Sequence, residues 1–109
     1  MTSRKREGCD MRGMLTFQIL WLLSKRPMYG QELAGELERR RGERPNPGTI
    51  YPPLKHLEEL GWIKARQVDH NKVYELTELG AANLHESLIW FKKAFGEIFS
   101  TPVSKKINE

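Results

Sequence analysis

The chain has 109 residues, 39% of them hydrophobic and 29% charged, with a formal net charge of +4. That length makes one compact domain and is too short for two, so a larger core has to come from a second copy. The longest unbroken apolar run, Ile19 to Leu23, is five residues, far below the roughly twenty that a membrane-spanning helix needs. The basic start Arg4-Lys5-Arg6 leads into Glu7, Gly8, Cys9 and Asp10 instead of an apolar signal segment. The expected compartment is the cytoplasm, with no membrane partner.

Residues 1–13 read as a flexible basic arm. Its Cys9 is alone and can close no disulfide within the chain, and His56, His70 and His85 are too scattered for a metal cluster. Neither a metal nor a cofactor is expected. Residues 11–24 are apolar on nearly every side, as in a short helix buried by its neighbours. Lys25, Arg26 and Pro27 stop it. A second helix is predicted from about Gly30 to Arg41, with Leu33, Ala34 and Leu37 on one face, acids early at Glu32 and Glu36, and bases at its end.

"GERPNPG", residues 42–48, is a turn by its prolines and glycines. Asn46 then offers an N-cap, and Pro47 sits where a first helical residue has no amide bond to lose. The third helix starts there. Leu54, Leu57 and Leu60 are expected to point inward, and Thr49, Lys55, His56 and Glu59 outward. Pro52 and Pro53 imply a tight or 3₁₀ opening. Gly61 ends the helix as a left-handed cap, with Trp62 folding back onto the last turn.

"WIKARQVD" and "VYEL" alternate as strands do, and "HNK", residues 70–72, reads as the turn of a small hairpin. Thr77 caps a last helix, 77–99, in which Leu84, Leu88, Phe91, Phe95 and Ile98 recur at coiled-coil spacing. Trp90 and Phe99 widen that stripe beyond what a chain this short can cover, which predicts a homodimer; a core helix of a single chain is the rival reading. Gly96 implies close helix approach or fraying, and residues 100–109 are expected to be a disordered tail.

Charge is concentrated in the middle of the chain. Residues 39–72 carry eight basic and four acidic side chains, a net +4, while residues 1–38 (six and five) and 73–109 (four and five) cancel. A polyanion is drawn to that segment. Helix, helix, turn, helix and hairpin is the order of a winged helix-turn-helix, a mostly α fold with a small β-hairpin, here in residues 14–76. Its third helix enters the DNA major groove. Thr49, Tyr51, Pro52, Lys55 and His56 are then the candidate groove-facing residues, with Asn46 at the helix start. Tyr29 and Gly30 open the second helix, whose amides suit a phosphate oxygen. His70, Asn71 and Lys72 form the tip of a wing. For each tyrosine, a half-buried ring against the core is the alternative role.

"ILWLLSKRPMYGQEL", "GTIYPPLKHLEELGWIKA" and "VYELTELG" resemble, in the same order, three signature blocks of the PadR family of transcriptional regulators. The resemblance covers residues 19–80. It implies a homodimer held by the last helix, as in the short subfamily, that binds a pseudo-palindromic operator, commonly as a repressor. Thr49, Tyr51, Pro52, Lys55 and His56 match the family's recognition-helix positions, and Tyr29 and Gly30 its second-helix start. Two departures stand out. Asn71-Lys72-Val73 replaces a basic pair, implying a weaker wing contact, and Pro53 replaces a smaller residue. Some relatives bind aromatic small molecules between the dimerising helices, and Trp90 is placed for a planar ligand to stack; a plain interface tryptophan is the other role.

Two rival classes remain. A winged helix can use its third-helix face for a protein partner, with a much shallower salt dependence than DNA binding. Catalysis has little support: Glu58 and Glu59 are adjacent on a helix and point apart, and no nucleophile–base pair or glycine-rich phosphate loop is present.

Overall fold

The computed structural model describes residues 12–104. Four helices and three strands follow in the order α1 (Arg12–Leu23), β1 (Met28–Tyr29), α2 (Gly30–Arg41), α3 (Pro47–Leu60), β2 (Ile63–Val68), β3 (Asn71–Leu76) and α4 (Glu78–Ser100). This is the winged helix-turn-helix order with an added C-terminal helix. The expected arm up to residue 11, Cys9 included, and the tail beyond residue 104 lie outside the described residues, while residues 12 and 13 begin α1.

Three helices converge on one core. Ile19 and Leu22 of α1, Leu33 and Leu37 of α2, and Ile50, Leu54 and Leu57 of α3 are all buried to within 1%. The inward stripe of α3 differs from the expected one at its last member. Leu60 is 42% exposed and Ile50 takes the place at the other end. Six residues of helix turn through 600°, so Leu60 stands about 120° around the axis from Leu54.

The two prolines do not tighten α3, which is α-helical from Pro47 to Leu60. Their missing amides would have bonded the carbonyls of Gly48 and Thr49. Both of those residues are exposed, so water can take the lost donor's place. Asn46 caps the start and Gly61, at φ 78°, closes the end. Its amide reaches Glu58 O at 3.0 Å, and the Trp62 amide reaches Leu57 O at 3.0 Å. An L side chain is strained in that left-handed region, which is why glycine serves there.

The hairpin turn is shorter than expected: Asp69 and His70 alone connect the strands, and Asn71 and Lys72 already belong to β3, opposite Val68 and Gln67. Asp69 adopts φ 57°, a conformation its short polar side chain tolerates. The sheet also has a third strand, in the order β1-β3-β2. Met28 pairs with Tyr74 and Tyr29 with Val73, antiparallel. Two residues have no period to read, so this strand leaves no trace in the sequence pattern. Its effect is to fasten the start of α2 to the base of the wing.

Candidate nucleic-acid interface

The outward face of α3 begins at its cap. Asn46 Oδ1 accepts the Thr49 amide at 3.0 Å and the Thr49 hydroxyl at 3.1 Å. Thr49, Pro52, Lys55, His56 and Glu59 are exposed while Ile50, Leu54 and Leu57 fix the helix from beneath. Among the described residues Lys55 and His56 have no hydrogen-bond or ion-pair partner, which leaves their polar atoms free for a ligand.

Tyr51 is held differently. Its ring lies over the start of α2, where a Cβ built on Gly30 would come within 2.5 Å of the hydroxyl and 2.8 Å of Cε1. Gly30 is buried, and the absent side chain is what admits the ring. Gln31 Nε2 donates to the Tyr51 hydroxyl at 3.3 Å. Arg44 in turn donates to Gln31 Oε1 at 2.8 Å and pairs with Glu38 at 3.3 Å. The turn between α2 and α3 is thereby strapped across α2. Sequence reasoning missed Gln31 and Arg44, because contacts spanning 20 and 13 residues leave no local signal.

Tyr29, Gly30, Tyr51, His70, Asn71 and Lys72 do come together. With Gln31, Glu32 and Tyr74 they line a cleft of about 370 Å³ between the start of α2 and the wing. Asn46 and Thr49 instead border a second groove of about 670 Å³ toward α1, and Pro52, Lys55 and His56 lie outside both. The first cleft also holds an acid: Glu32 takes the Tyr29 amide at 2.9 Å and pairs with Arg26 at 3.1 Å. Lys72 approaches Glu58 of α3 at 3.5 Å, tying the wing to that helix. Burial, then Glu58 and Tyr51, hold the Tyr74 phenol above its ordinary pKa.

Most of the central charge is locally compensated. Arg39 and Arg40 share Glu36 at 2.9 and 2.6 Å, and Lys64 and Arg66 share Glu75 at 3.7 and 3.9 Å, whereas Arg41 keeps its charge and bonds the neutral amide of Gln18 at 2.6 Å. The Arg40 hydrogen bond is the main cause of a lowered Glu36 pKa. These pairs are solvent-exposed and weak, so the cations still add to the long-range field.

On α4 the expected seam divides. Leu84 is only 5% exposed and belongs to the chain's own core, and Phe91 stacks on Phe17 of α1 with ring centroids 5.3 Å apart. Leu88, Phe95 and Ile98 remain open at 41, 36 and 65% exposure, as does Trp90 at 61%. A Cβ built on Gly96 would meet, among the described residues and apart from its own helix backbone, nothing closer than Lys92 Cγ at 3.8 Å. No described helix is long and apolar enough to cross a membrane, and no cluster of three or more His, Cys, Asp or Glu side chains forms among the described residues.

Residues 19–86, more than half of the chain, match the family described as the transcriptional regulator PadR-like family. The chain belongs to the PadR-like family of transcriptional regulators. A PadR-like transcription factor from Bacteroides fragilis superposes with a TM-score of 0.73 at 27% identity, over 84% of this chain and 92% of that one. A PadR family transcription regulator from Clostridium difficile gives a TM-score of 0.65 at 28% identity, over 80% and 99%. In sequence, this PadR-like chain is 36% identical over 56 residues to the transcriptional activator GvpE2 of Halobacterium salinarum. That stretch is 51% of this chain, which spans only 29% of the relative's length.

Proposed function

We propose that this regulator binds double-stranded DNA as a homodimer, seating α3 of each copy in the major groove of a pseudo-palindromic operator. The observation that carries the reading is the pair Lys55 and His56, exposed and without partners among the described residues on a helix whose opposite face is buried to within 1%. Around it, Asn46, Thr49, Tyr51 and Pro52 form the entry to the groove, while Tyr29, Gly30, His70, Asn71 and Lys72 meet phosphate oxygens and fix register. The open apolar part of α4, Leu88, Phe95 and Ile98, supports pairing with a second copy. Trp90 is the proposed stacking surface for a small aromatic effector. The regulator acts in the cytoplasm.

Family resemblance favours repression, by occlusion of the promoter. The name of the Halobacterium relative supports activation as a second reading. A reporter fused to the promoter beside the chain's own gene, compared with and without that gene, separates the two.

Binding itself is tested by titrating labelled duplex at several salt concentrations. Neutralising roughly six to ten phosphates per dimer makes affinity fall steeply and log-linearly with salt. Replacing Lys55 and His56 together by Ala lowers affinity by about 1–3 kcal/mol if one of them makes a good base contact. Unchanged DNA affinity in that double variant sinks the assignment of α3. A shallow salt dependence favours a protein partner on the same face.

A further inference from the structure

Two side chains on the exposed face of the first two turns of α3, Thr49 and Pro52, carry apolar groups that a groove can meet. The Thr49 hydroxyl proton is given to Asn46 Oδ1 at 3.1 Å, and the same oxygen holds the Thr49 amide at 3.0 Å. What this exposed side chain still offers is its γ-methyl and the hydroxyl's oxygen lone pairs. Gly48 has no side chain, and Pro52, also exposed, has no polar side-chain atom. Tyr51 leans away onto Gly30, its hydroxyl accepting from Gln31 at 3.3 Å. Among the described residues, side-chain donors without an acceptor on this face are the Asn46 amide nitrogen, the Tyr51 hydroxyl, Lys55 and His56.

The Thr49 methyl and the Pro52 ring cannot distinguish bases by hydrogen bonds, but they can feel the one apolar group on a major-groove edge, the thymine C5-methyl. Thr49 and Pro52 are three residues apart, so they lie on one ridge with Cβ atoms about 5–6 Å apart, a spacing that reaches neighbouring base pairs. We infer that the Thr49 methyl and the Pro52 ring read thymine methyl groups at the point where α3 enters the groove. The inference rests on the proposed DNA-binding function and names the chemistry that α3 selects.

The test starts by enriching duplexes from a random library with the full-length chain. Each thymine of the resulting half-site is then replaced singly by deoxyuridine, which removes the methyl and leaves base pairing intact. Anisotropy titrations should show about a fourfold loss at each contacted thymine, the worth of one buried methyl group. Thr49→Ser keeps the hydroxyl bond to Asn46 and deletes the methyl, so it should no longer respond to uracil at one of those positions. Thr49→Val keeps the methyl and deletes the hydroxyl, so it should still respond there. Uracil tolerated at every position overturns the inference alone, as does a Ser variant that keeps the response while the Val variant loses it. If no duplex is enriched, the proposed function falls and this inference with it.

Discussion

Gly30 and Tyr51 illustrate how much one missing methyl can set. The ring occupies the space where any larger residue at position 30 would put its Cβ. Gly30→Ala should therefore destabilise the fold by about 1–3 kcal/mol, as overpacking does, read as a lower thermal midpoint. Combining it with Tyr51→Leu should recover most of that loss. If the two losses simply add, the ring is not the obstacle. Tyr74 offers a second residue-scale check. Its pKa is raised in the folded state, so the folded chain holds the phenolic proton more tightly than the unfolded one. The associated stability is complete below the ordinary value of 10.0 and is lost as pH climbs through the raised value. Tyr74→Phe should flatten this alkaline limb in melts followed from pH 8 upward.

At the scale of elements, the decisive joint lies between α3 and α4. Thr77 caps α4 by accepting the Gly80 amide at 3.0 Å, and its hydroxyl donates to Gly61 O at 2.7 Å. The Thr77 amide bonds Trp62 O at 3.0 Å, and a Cβ on Gly80 would come to 2.0 Å from that same carbonyl oxygen. Thr77→Ala should cost about 1 kcal/mol in chemical denaturation, while Thr77→Ser, which retains the capping oxygen, should cost less. Much of this was readable beforehand, since Asn46-Pro47, Gly61 and Thr77 mark helix ends by residue type, and the apolar spacing of α2 and the alternation of the hairpin mark the elements between. What stayed hidden has a common cause. The two-residue strand β1, the Gln31–Arg44 strap and the seat of Tyr51 on Gly30 are all made by residues distant in the chain, where no local period or capping preference registers them. The outward set Thr49, Lys55 and His56 was legible because burial of the opposite face repeats every turn. The fate of Leu84 and Phe91 was not, since whether an apolar stripe faces its own core or another copy depends on how α1 packs.

For the molecule as a whole, the open apolar surface of α4 is the feature that most needs a partner. Phe99 and Ile98 are 75% and 65% exposed near its end. Sedimentation at micromolar concentration should show a dimer, and Ile98→Asp should shift it to monomer. In the proposed mode of binding a monomer engages one half-site, so affinity for the proposed operator should fall by on the order of a hundredfold. A dimeric Ile98→Asp variant would place the pairing surface elsewhere.

In the proposed pair, α4 works as the arm of a caliper. Its 23 residues span about 34 Å, so tilting it by about 5° at the Gly80–Trp62 joint would carry the far end roughly 3 Å, close to the 3.4 Å rise of one base pair. The bare α-carbon at position 80 is then a gauge block, and a residue with a side chain there would make the two jaws measure out a different length of DNA.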